Sequence, residues 1–440
     1  MVRRLIIPAI LPLLMGISST PASSHGFRIL YSFCSQNGCP DGYSPGPLAQ
    51  DASGDLYGAT SGGGANGTGT IFELKPVSGG TYAFSNLFSL CNAHGCGAFP
   101  VGSLVIDKSG DLYGAMSTGG AHYVGQLFEL IPGGHPTQWT YQDIYDFCSV
   151  SKECPDGGNP YSGLTYAGAA YGMLYDGKSS LFGTASEGGT SNDGGVVYEL
   201  TPAGSGWIEQ PIYQFCAQDP CSDGNRPYAP VSVDGAGNLY GTTYFGGIGG
   251  VYGAGVVFEL SPGGSSWSEN VLHQFCSAHD CTDGLAPLGG VTEDTKGTLF
   301  GVTPSGGNSC NINGNNSCGI AYRLAPKGTD YMSKTLHVFC SAPKCADGAL
   351  PEFAPVVAPD GLVFGTTLTE GSTKNIDDGA GTLFELNRSK LSILHTFCKK
   401  ANCVDGNSPN NLIRDSHGNL FGSAGGGGAY NRGIIFEYAP

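Results

Sequence analysis

The sequence predicts an all-β fold, a seven-bladed β-propeller of four-stranded antiparallel blades closed by the N-terminal strand pairing into the last blade. Three observations lead to this prediction. Short cysteine pairs recur seven times, with their first cysteines 57 to 68 residues apart. Each repeat holds four short segments rich in aromatic and β-branched residues, separated by Gly, Pro, Asn and Asp, which is typical of strands and turns. The two ends of the chain also carry complementary parts of one repeat.

Residues 1–24 have the pattern of a secretory signal peptide, and residues 25–440 are expected to form the seven-repeat propeller. Arg3 and Arg4 give a basic start, and Leu5 to Ile17 is an apolar run followed by small residues. This run is shorter than the roughly 20 apolar residues that a transmembrane helix needs. No later segment reaches that length, so we expect an exported protein, secreted or periplasmic, without a membrane span.

All 16 cysteines fall into short pairs. In an exported chain this pattern predicts local disulfides, and the sequence lacks the paired CxxC or Cys/His sets that zinc sites use. Seven pairs belong to the repeat, and the eighth falls inside a loop of the fifth unit. The pairs are Cys34 with Cys39, Cys91 with Cys96, Cys148 with Cys154, Cys216 with Cys221, Cys276 with Cys281, Cys340 with Cys345, Cys398 with Cys403 and, outside the repeat, Cys310 with Cys318.

The unit from Trp207 to Leu260 contains the four strands of a repeat. An outer strand comes first and runs into the cysteine loop. A short inner strand then ends in the turn Asp234-Gly-Ala-Gly-Asn238, where Asp suits the start of the turn and Gly supplies a positive φ. The third and fourth strands are Leu-Tyr-Gly-Thr-Thr and Gly-Val-Val-Phe-Glu-Leu. No window carries the 3.6-residue apolar period of a helix. A right-handed β-helix is the alternative fold, but its coils are shorter and lack these reversing turns.

The chain ends predict how the ring closes. Phe27 to Phe33 is an outer-type strand placed before the first cysteine loop, whereas Ile434 to Tyr438 is the strand that would come just before an outer strand. The last repeat therefore lacks its outer strand, and the first residues can supply it. We predict antiparallel pairing of these two segments.

The Leu-Tyr-Gly-Thr-Thr element of residues 239–243, the Gly-Gly loops and the Gly-x-Val-Phe-Glu-Leu element of residues 255–260 resemble the bacterial exported "GloVer" (choice-of-anchor) tandem-repeat family. The resemblance covers all seven repeats. It implies export and a propeller-like repeat array, and it brings no catalytic residues. The family's anchoring tail has no counterpart after the last strand here, so the resemblance does not predict surface anchoring.

Composition and motifs narrow the function. Acidic residues outnumber basic ones 36 to 20, for a net charge of -16, which makes nucleic acid or an anionic lipid surface a poor partner. No P-loop, GxSxG or HExxH motif is present, and no cofactor is predicted. These features favour a binding or scaffold module for glycan or protein. The alternative is an extracellular propeller enzyme, such as a polysaccharide or lactone lyase or hydrolase.

The ligand site is expected on the face that carries the cysteine loops and the loops between third and fourth strands, because long loops on a rigid frame usually carry sites. Residues that break the repeat there are the candidates. One candidate is the loop Asn308 to Ser317, which a disulfide between Cys310 and Cys318 would pre-order for a partner. Exposed aromatic side chains beside Asn and Gly also suit stacking on sugar rings. These side-chain candidates are His122, Tyr123, Tyr244, Phe245, Tyr252 and Tyr430.

Two repeated polar positions have competing interpretations. An Asp-Gly follows the cysteine pair in six repeats, and a ring of these carboxylates could bind calcium, whereas the alternative is that each Asp-Gly makes a turn. His273, His337 and His395 occupy an aromatic position of the repeat, which favours packing over catalysis. No catalytic or metal-binding residue is predicted. The six aspartates are Asp41, Asp156, Asp223, Asp283, Asp347 and Asp405.

Overall fold

Seven four-stranded antiparallel sheets contain all 28 strands that the computed structural model describes. The described residues are 26–440 except 91–96, 135–137, 170–171, 190–191, 205, 218–219, 250–251, 265, 308–317, 370 and 372–379. The sheets stand side by side in a ring, which confirms the predicted seven-bladed propeller. The predicted signal peptide lies outside the described residues. No helix in the described part of the chain is long and apolar enough to cross a membrane.

Each of blades 1 to 6 is built in chain order, from its innermost strand to its outermost strand. Blade 1 contains β2 (Tyr43–Gln50), β3 (Leu56–Gly62), β4 (Thr70–Val77) and β5 (Thr81–Ser89). Blade 2 contains β6 (Ala98–Ile106), β7 (Leu112–Thr118), β8 (Gln126–Pro132) and β9 (Trp139–Asp146). Blade 3 contains β10 (Thr165–Tyr166), β11 (Leu181–Ala185), β12 (Val196–Ala203) and β13 (Gly206–Gln214).

The inner strands of blades 3 to 6 have only two residues, so these blades meet the ring axis mostly through irregular segments. Blade 4 contains β14 (Ser232–Val233), β15 (Leu239–Thr243), β16 (Val256–Gly263) and β17 (Ser266–Gln274). Blade 5 contains β18 (Thr292–Glu293), β19 (Leu299–Thr303), β20 (Ile320–Lys327) and β21 (Asp330–Val338). Blade 6 contains β22 (Val356–Val357), β23 (Leu362–Thr367), β24 (Thr382–Asn387) and β25 (Lys390–Thr396). Short 3-10 turns lie at His279–Cys281, Pro343–Cys345 and Ala401–Cys403.

The N-terminal strand closes the ring, as the chain ends predict. Blade 7 contains β26 (Asn407–Arg414), β27 (Leu420–Gly426), β28 (Ile434–Ala439) and, as its outermost strand, β1 (Gly26–Ser32). Strand β1 pairs antiparallel with β28, with Phe27 opposite Tyr438 and Ser32 opposite Ile434. Both ends of the chain therefore belong to one sheet, and the ring leaves few exposed strand edges.

A glycine in the second strand of every blade makes room for an aromatic ring from the third strand. A Cβ atom at Gly58 would lie 2.6 Å from Cζ of Phe72, and one at Gly365 would lie 2.5 Å from Cζ of Phe384. The Phe72 ring in turn packs edge-on against Phe33, the residue before the cysteine loop, with centroids 5.2 Å apart. These rings are fully buried. The Leu-(Tyr/Phe)-Gly element therefore marks the middle of each blade.

Counted from the innermost strand, the loops between the second and third strands of each blade are those between the third and fourth segments of the sequence repeat. They lie together with the cysteine loops on one face of the ring, which we call the loop face. The backbone N–H of Gly64 donates to the carbonyl of Cys39, and that of Gly189 donates to the carbonyl of Cys154, both at 2.9 Å. The same bond recurs in all six blades whose cysteine loop is described. In these six blades the two kinds of loop therefore share one face, and its role as the ligand face stays a prediction.

Candidate functional site: an aromatic track on the loop face

A left-handed residue stands before a proline at the start of the inner segment of every blade. Its φ angle lies between 50° and 59° in all seven cases. Non-glycine residues rarely adopt this conformation. In blades 1, 3, 4, 5 and 6 its N–H donates to a loop carbonyl of the preceding blade, for example from Arg226 to Gly194 at 2.8 Å. The seven residues are Ser44, Phe99, Asn159, Arg226, Ala286, Leu350 and Ser408.

These bonds between neighbouring blades are made by backbone atoms and do not depend on the side chain. The side chains at these positions accordingly differ from blade to blade. The residue after the proline varies in the same way. It is a tyrosine in blades 3 and 4 only, and the seven residues are Gly46, Val101, Tyr161, Tyr228, Leu288, Glu352 and Asn410. This variation is the break in the repeat that a ligand site requires.

Five aromatic side chains of blades 3 and 4 form a continuous chain of edge-to-face contacts, which we call the aromatic track. Their ring centroids are 5.1 Å apart for Tyr161–Tyr228, 5.5 Å for Tyr228–Tyr244, 4.6 Å for Tyr244–Phe245 and 6.1 Å for Phe245–Tyr252. Aromatic rings favour this geometry, which fixes each ring against the next. The two end residues are exposed, Tyr161 by 56% and Tyr252 by 86%. The track therefore offers rigid aromatic surface to solvent.

Charged and amide side chains border the aromatic track. Nη2 of Arg226 lies 3.6 Å from Oδ2 of Asp193, a residue of the blade 3 loop. A hydrogen bond with the hydroxyl of Tyr228 raises the pKa of Arg226, so the guanidinium stays charged. The amide of Asn159 donates to the carboxylate of Glu187. Hydrogen-bond donors and acceptors of several kinds thus stand beside the rings, as in binding sites that orient a polar ligand.

The structure brings together only some of the predicted ligand-face residues. Tyr244, Phe245 and Tyr252 lie in the track, whereas His122 and Tyr123 lie in the loop of blade 2 and Tyr430 in the loop of blade 7. Tyr123 and Tyr430 are exposed by 59% and 51%. The loop of residues 308–317, with Cys310, lies outside the described residues, although Cys318 is disulfide-bonded.

Tyr161, Tyr228 and Arg226 are not among the predicted candidates. They occupy repeat positions, beside a proline present in every unit, and only their substitution pattern distinguishes them. Tyrosine follows the proline in two adjacent repeats and in no other. This difference between equivalent positions was the available signal.

Six of the predicted cysteine pairs are disulfides in the structure. They are Cys34–Cys39, Cys148–Cys154, Cys216–Cys221, Cys276–Cys281, Cys340–Cys345 and Cys398–Cys403. Disulfides of this number are typical of extracellular or periplasmic proteins. The cysteine loop of the second repeat is not among the described residues. Cys91 and Cys96 belong to it, so their pairing stays a prediction.

The aspartate after each disulfide holds its own loop. Oδ2 of Asp156 accepts from the hydroxyl of Tyr145 at 2.7 Å and from the N–H of Ser149 at 2.8 Å. Asp41 is bound in the same way by Tyr31 and by the N–H of Cys34. The carboxylates are therefore used one by one, each within its own loop. Among the described residues no group of three or more His, Cys, Asp or Glu is arranged to hold a metal ion.

Histidine replaces the tyrosine that binds the loop aspartate, Tyr31 or Tyr145 above, in three blades. Nε2 of His395 lies 3.6 Å from Oδ2 of Asp405. The imidazole is stacked on the ring of Phe27 in strand β1, with ring centroids 3.6 Å apart. Burial lowers the pKa of His395 to about 4. The folded protein therefore holds this imidazole neutral, which agrees with the predicted packing role.

Replacing His395 by Tyr is expected to flatten the acid side of the stability profile. A histidine in the unfolded chain is protonated below pH 6.5, whereas His395 in the folded protein is protonated only near pH 4. The contribution of His395 to the free energy of unfolding is therefore complete above pH 6.5 and is lost as the pH falls to 4. The loss at pH 4.5 amounts to about 2 kcal/mol. Thermal unfolding of both proteins at pH 7 and 4.5 measures it. The exposed His417→Gln variant is the control, and an unchanged acid slope in His395→Tyr would contradict the expectation.

Two seams between blades contain a carboxyl group where others have an aromatic ring. In the seam of blades 7 and 1, Phe84 stacks on Tyr31 with centroids 4.4 Å apart. Glu209 occupies the equivalent position in the seam of blades 2 and 3, and Glu269 occupies it in the seam of blades 3 and 4. Burial raises the pKa of Glu209 to about 8 and that of Glu269 to about 7.

Comparison with solved structures shows the fold. An ulvan lyase of polysaccharide lyase family PL25 has a TM-score of 0.52 at 11% identity over 90% of this chain and 94% of its own. The extracellular domain of a proposed one-component system from B. thetaiotaomicron has a TM-score of 0.51 at 9% identity, and the match covers 94% of this chain but only 40% of that one. At these identities the likeness concerns the fold alone. No curated protein sequence matches the chain.

The repeats themselves match a family model. The model of the Gloeobacter/Verrucomicrobia repeat matches residues 17–180 and 174–374, which together are well over half of the chain. These segments include the second and third strands, which form the middle of the blade, of blades 1 to 5. The chain belongs to the Gloeobacter/Verrucomicrobia repeat family.

Proposed function

We propose that the protein is an exported carbohydrate-binding propeller and that sugar rings stack on the aromatic track. One observation carries the proposal: five aromatic side chains from three separate segments of two blades form one chain of contacts, and both ends of that chain are exposed. Rigid rings fixed by their neighbours lose little entropy when a ligand stacks on them.

The polar border of the track suits the hydroxyl groups of a sugar. Arg226 and Asp193 offer donors and acceptors on one side, and Asn159 with Glu187 offers them on another. A pyranose ring has an apolar face for stacking and an equatorial rim of hydroxyls, so it needs both kinds of group. The six described disulfides and the predicted signal peptide support export. An exported protein can bind polysaccharides outside the cell.

Tyr161→Ala is expected to weaken glycan binding at least about fivefold, since truncating an anchor residue of a binding site costs more than about 1 kcal/mol. A glycan array with the purified mature chain identifies the ligand, and calorimetry measures the affinity of both proteins. Tyr430→Ala is the matched control, because this exposed tyrosine lies on the same face in blade 7. Equal losses in the two variants, or no glycan bound by the native chain, would remove the support for the proposal.

A second candidate function is cleavage of a saccharide. The observation that favours it is Glu352, which stands at the same position of the inner segment as Tyr161 and Tyr228 and whose pKa is raised by burial. Burial that raises the pKa of a carboxyl group favours its protonated form, the form that acts as a general acid. Incubation of the array ligand with the native protein and with Glu352→Gln distinguishes the two functions. Products formed only by the native protein would establish an enzyme.

A further inference from the structure

Two exposed aromatic residues of blade 2 occupy left-handed backbone positions. Phe99 has φ 56° and is 55% exposed, and Tyr123 has φ 64° and is 59% exposed. Bulky residues in this conformation are outliers with an energetic cost. Their exposure means that core packing does not offset this cost. Exposed rings held in this way are available to a ligand at the surface.

Equivalent positions in other blades carry smaller or polar side chains. The position of Phe99 is occupied by Ser44 in blade 1 and by Ala286 in blade 5. The position of Tyr123 is occupied by Gly67 in blade 1 and by Asn431 in blade 7. The loop conformation therefore does not require an aromatic residue, and blade 2 departs from the repeat twice on the same face.

Both residues belong to segments of blade 2 whose backbone contacts blade 3, where the aromatic track begins. The carbonyl of Val124, next to Tyr123, accepts from the N–H of Asn159 at 2.6 Å. Asn159 is two residues before Tyr161, where the track begins. The inner segments also touch, because a Cβ atom at Gly102 would lie 1.8 Å from the backbone N of Gly163. Exposed aromatic surface thus extends over three consecutive blades.

We infer that the ligand is a polysaccharide chain bound along its length, with Phe99 and Tyr123 contacting sugar residues beyond those held by the aromatic track. This inference rests on the proposed function and specifies its substrate class. An arc of aromatic side chains across blades 2 to 4 is longer than a single sugar ring can cover. Each additional stacked sugar adds contact area without the full entropic cost of a new binding event.

The charges of the site indicate a neutral chain. The protein carries a net charge of -16, and Glu187 and Asp193 border the track. The cation described beside the rings, Arg226, is already paired with Asp193. A polyuronate or sulfated chain would meet repulsion from this surface. A neutral glucan or mannan would not.

The test uses the mature native protein and soluble gluco- and manno-oligosaccharides of two to eight sugar residues, with an alginate series of the same lengths as the anionic arm. The native protein is expected to bind the longest neutral oligomers at least tenfold more tightly than the shortest. In the double variant that combines Phe99→Ala with Tyr123→Ala, this gain with length is expected to disappear, while the affinity for the shortest oligomers stays unchanged. Tyr161→Ala is expected to weaken binding at every length.

The outcomes separate the inference from the function on which it rests. If the double variant binds long oligomers like the native protein while Tyr161→Ala binds poorly, the extended site is wrong and the proposed function stands. Tighter binding of alginate would overturn the neutral substrate class. If the native protein binds none of the neutral or anionic oligomers, the inference fails, and the glycan array alone decides whether the proposed function stands. Both replaced side chains are exposed, and circular dichroism checks that the variants fold.

Discussion

Deleting residues 26–32 is expected to prevent stable folding of the whole propeller, although the segment is at the chain terminus. Strand β1 is the outermost strand of blade 7 and is aligned with β28 along its whole length. Without β1, the edge of β28 is unpaired, and blade 1 loses its contact with the outermost strand of blade 7, where Tyr31 stacks on Phe84. The expected loss, at least about 5 kcal/mol, equals the total stability of many domains. Chemical denaturation followed by circular dichroism measures it.

A point variant grades the same effect. Phe33, which follows β1, is fully buried in the seam of blades 7 and 1, between Tyr31 and Phe72. Phe33→Ala is expected to cost about 3–5 kcal/mol, because it removes a buried ring and leaves a cavity. Ile208→Ala is the control, since this outer-strand side chain of blade 3 is largely exposed. A truncated chain with native stability would show that blade 7 is dispensable and that the ring closes elsewhere.

The strand order could be predicted because each strand carries a local chemical reason for its residues. The turn that begins at Asp51 has the carboxylate Oδ1 accepting from the N–H groups of Ser53 and Asp55, and this bond depends only on neighbours in sequence. Gly58 is required by the ring of the residue directly opposite it in the neighbouring strand of the same blade. Closure by Phe27 was predictable because the two chain ends each lack what the other has.

The aromatic track could not be predicted, because it depends on contacts between blades. Tyr161 and Tyr228 are 67 residues apart in the chain, and they meet only because blades 3 and 4 are adjacent and the left-handed residue before each proline turns the segment the same way. Tyr244 joins them from a different loop. The sequence indicated only that this loop departed from the repeat.

The burial of Glu209 and Glu269 could not be predicted either, because it also depends on contacts between blades. Their position in the outer strand alternates between aromatic, polar and aliphatic residues, so it has no recognisable repeat pattern. Only the structure places Glu209 in a seam, where Oε1 of Glu209, Oδ1 of Asp156 and the hydroxyl of Tyr198 are buried without a hydrogen-bond partner among the described residues. Such groups are costly in a protein interior.

Glu209→Gln is therefore expected to stabilise the protein at alkaline pH and to leave it unchanged at acid pH. Burial, reinforced by the charge of Asp156 and opposed by a hydrogen bond with Tyr145, raises the pKa of Glu209 to about 8. A glutamate in the unfolded chain ionises near pH 4.5, so the native contribution is complete below that pH and is lost as pH rises to 8. Glutamine is neutral throughout and does not lose it. The expected gain at pH 8 is about 4 kcal/mol.

Denaturation curves of the native protein and of Glu209→Gln between pH 4.5 and 8.5 give the two stability profiles. Glu153→Gln is the matched control, because this glutamate lies exposed in the cysteine loop that also contributes Asp156. The two profiles of the Glu209 pair should meet near pH 4.5 and diverge steadily up to pH 8. The Glu153 variant should run parallel to the native curve, because a hydrogen bond from Ser151 lowers the pKa of Glu153. If Glu209→Gln is less stable than the native protein at pH 8, the carboxylate is ionised in the fold, and a buried positive partner must neutralise it.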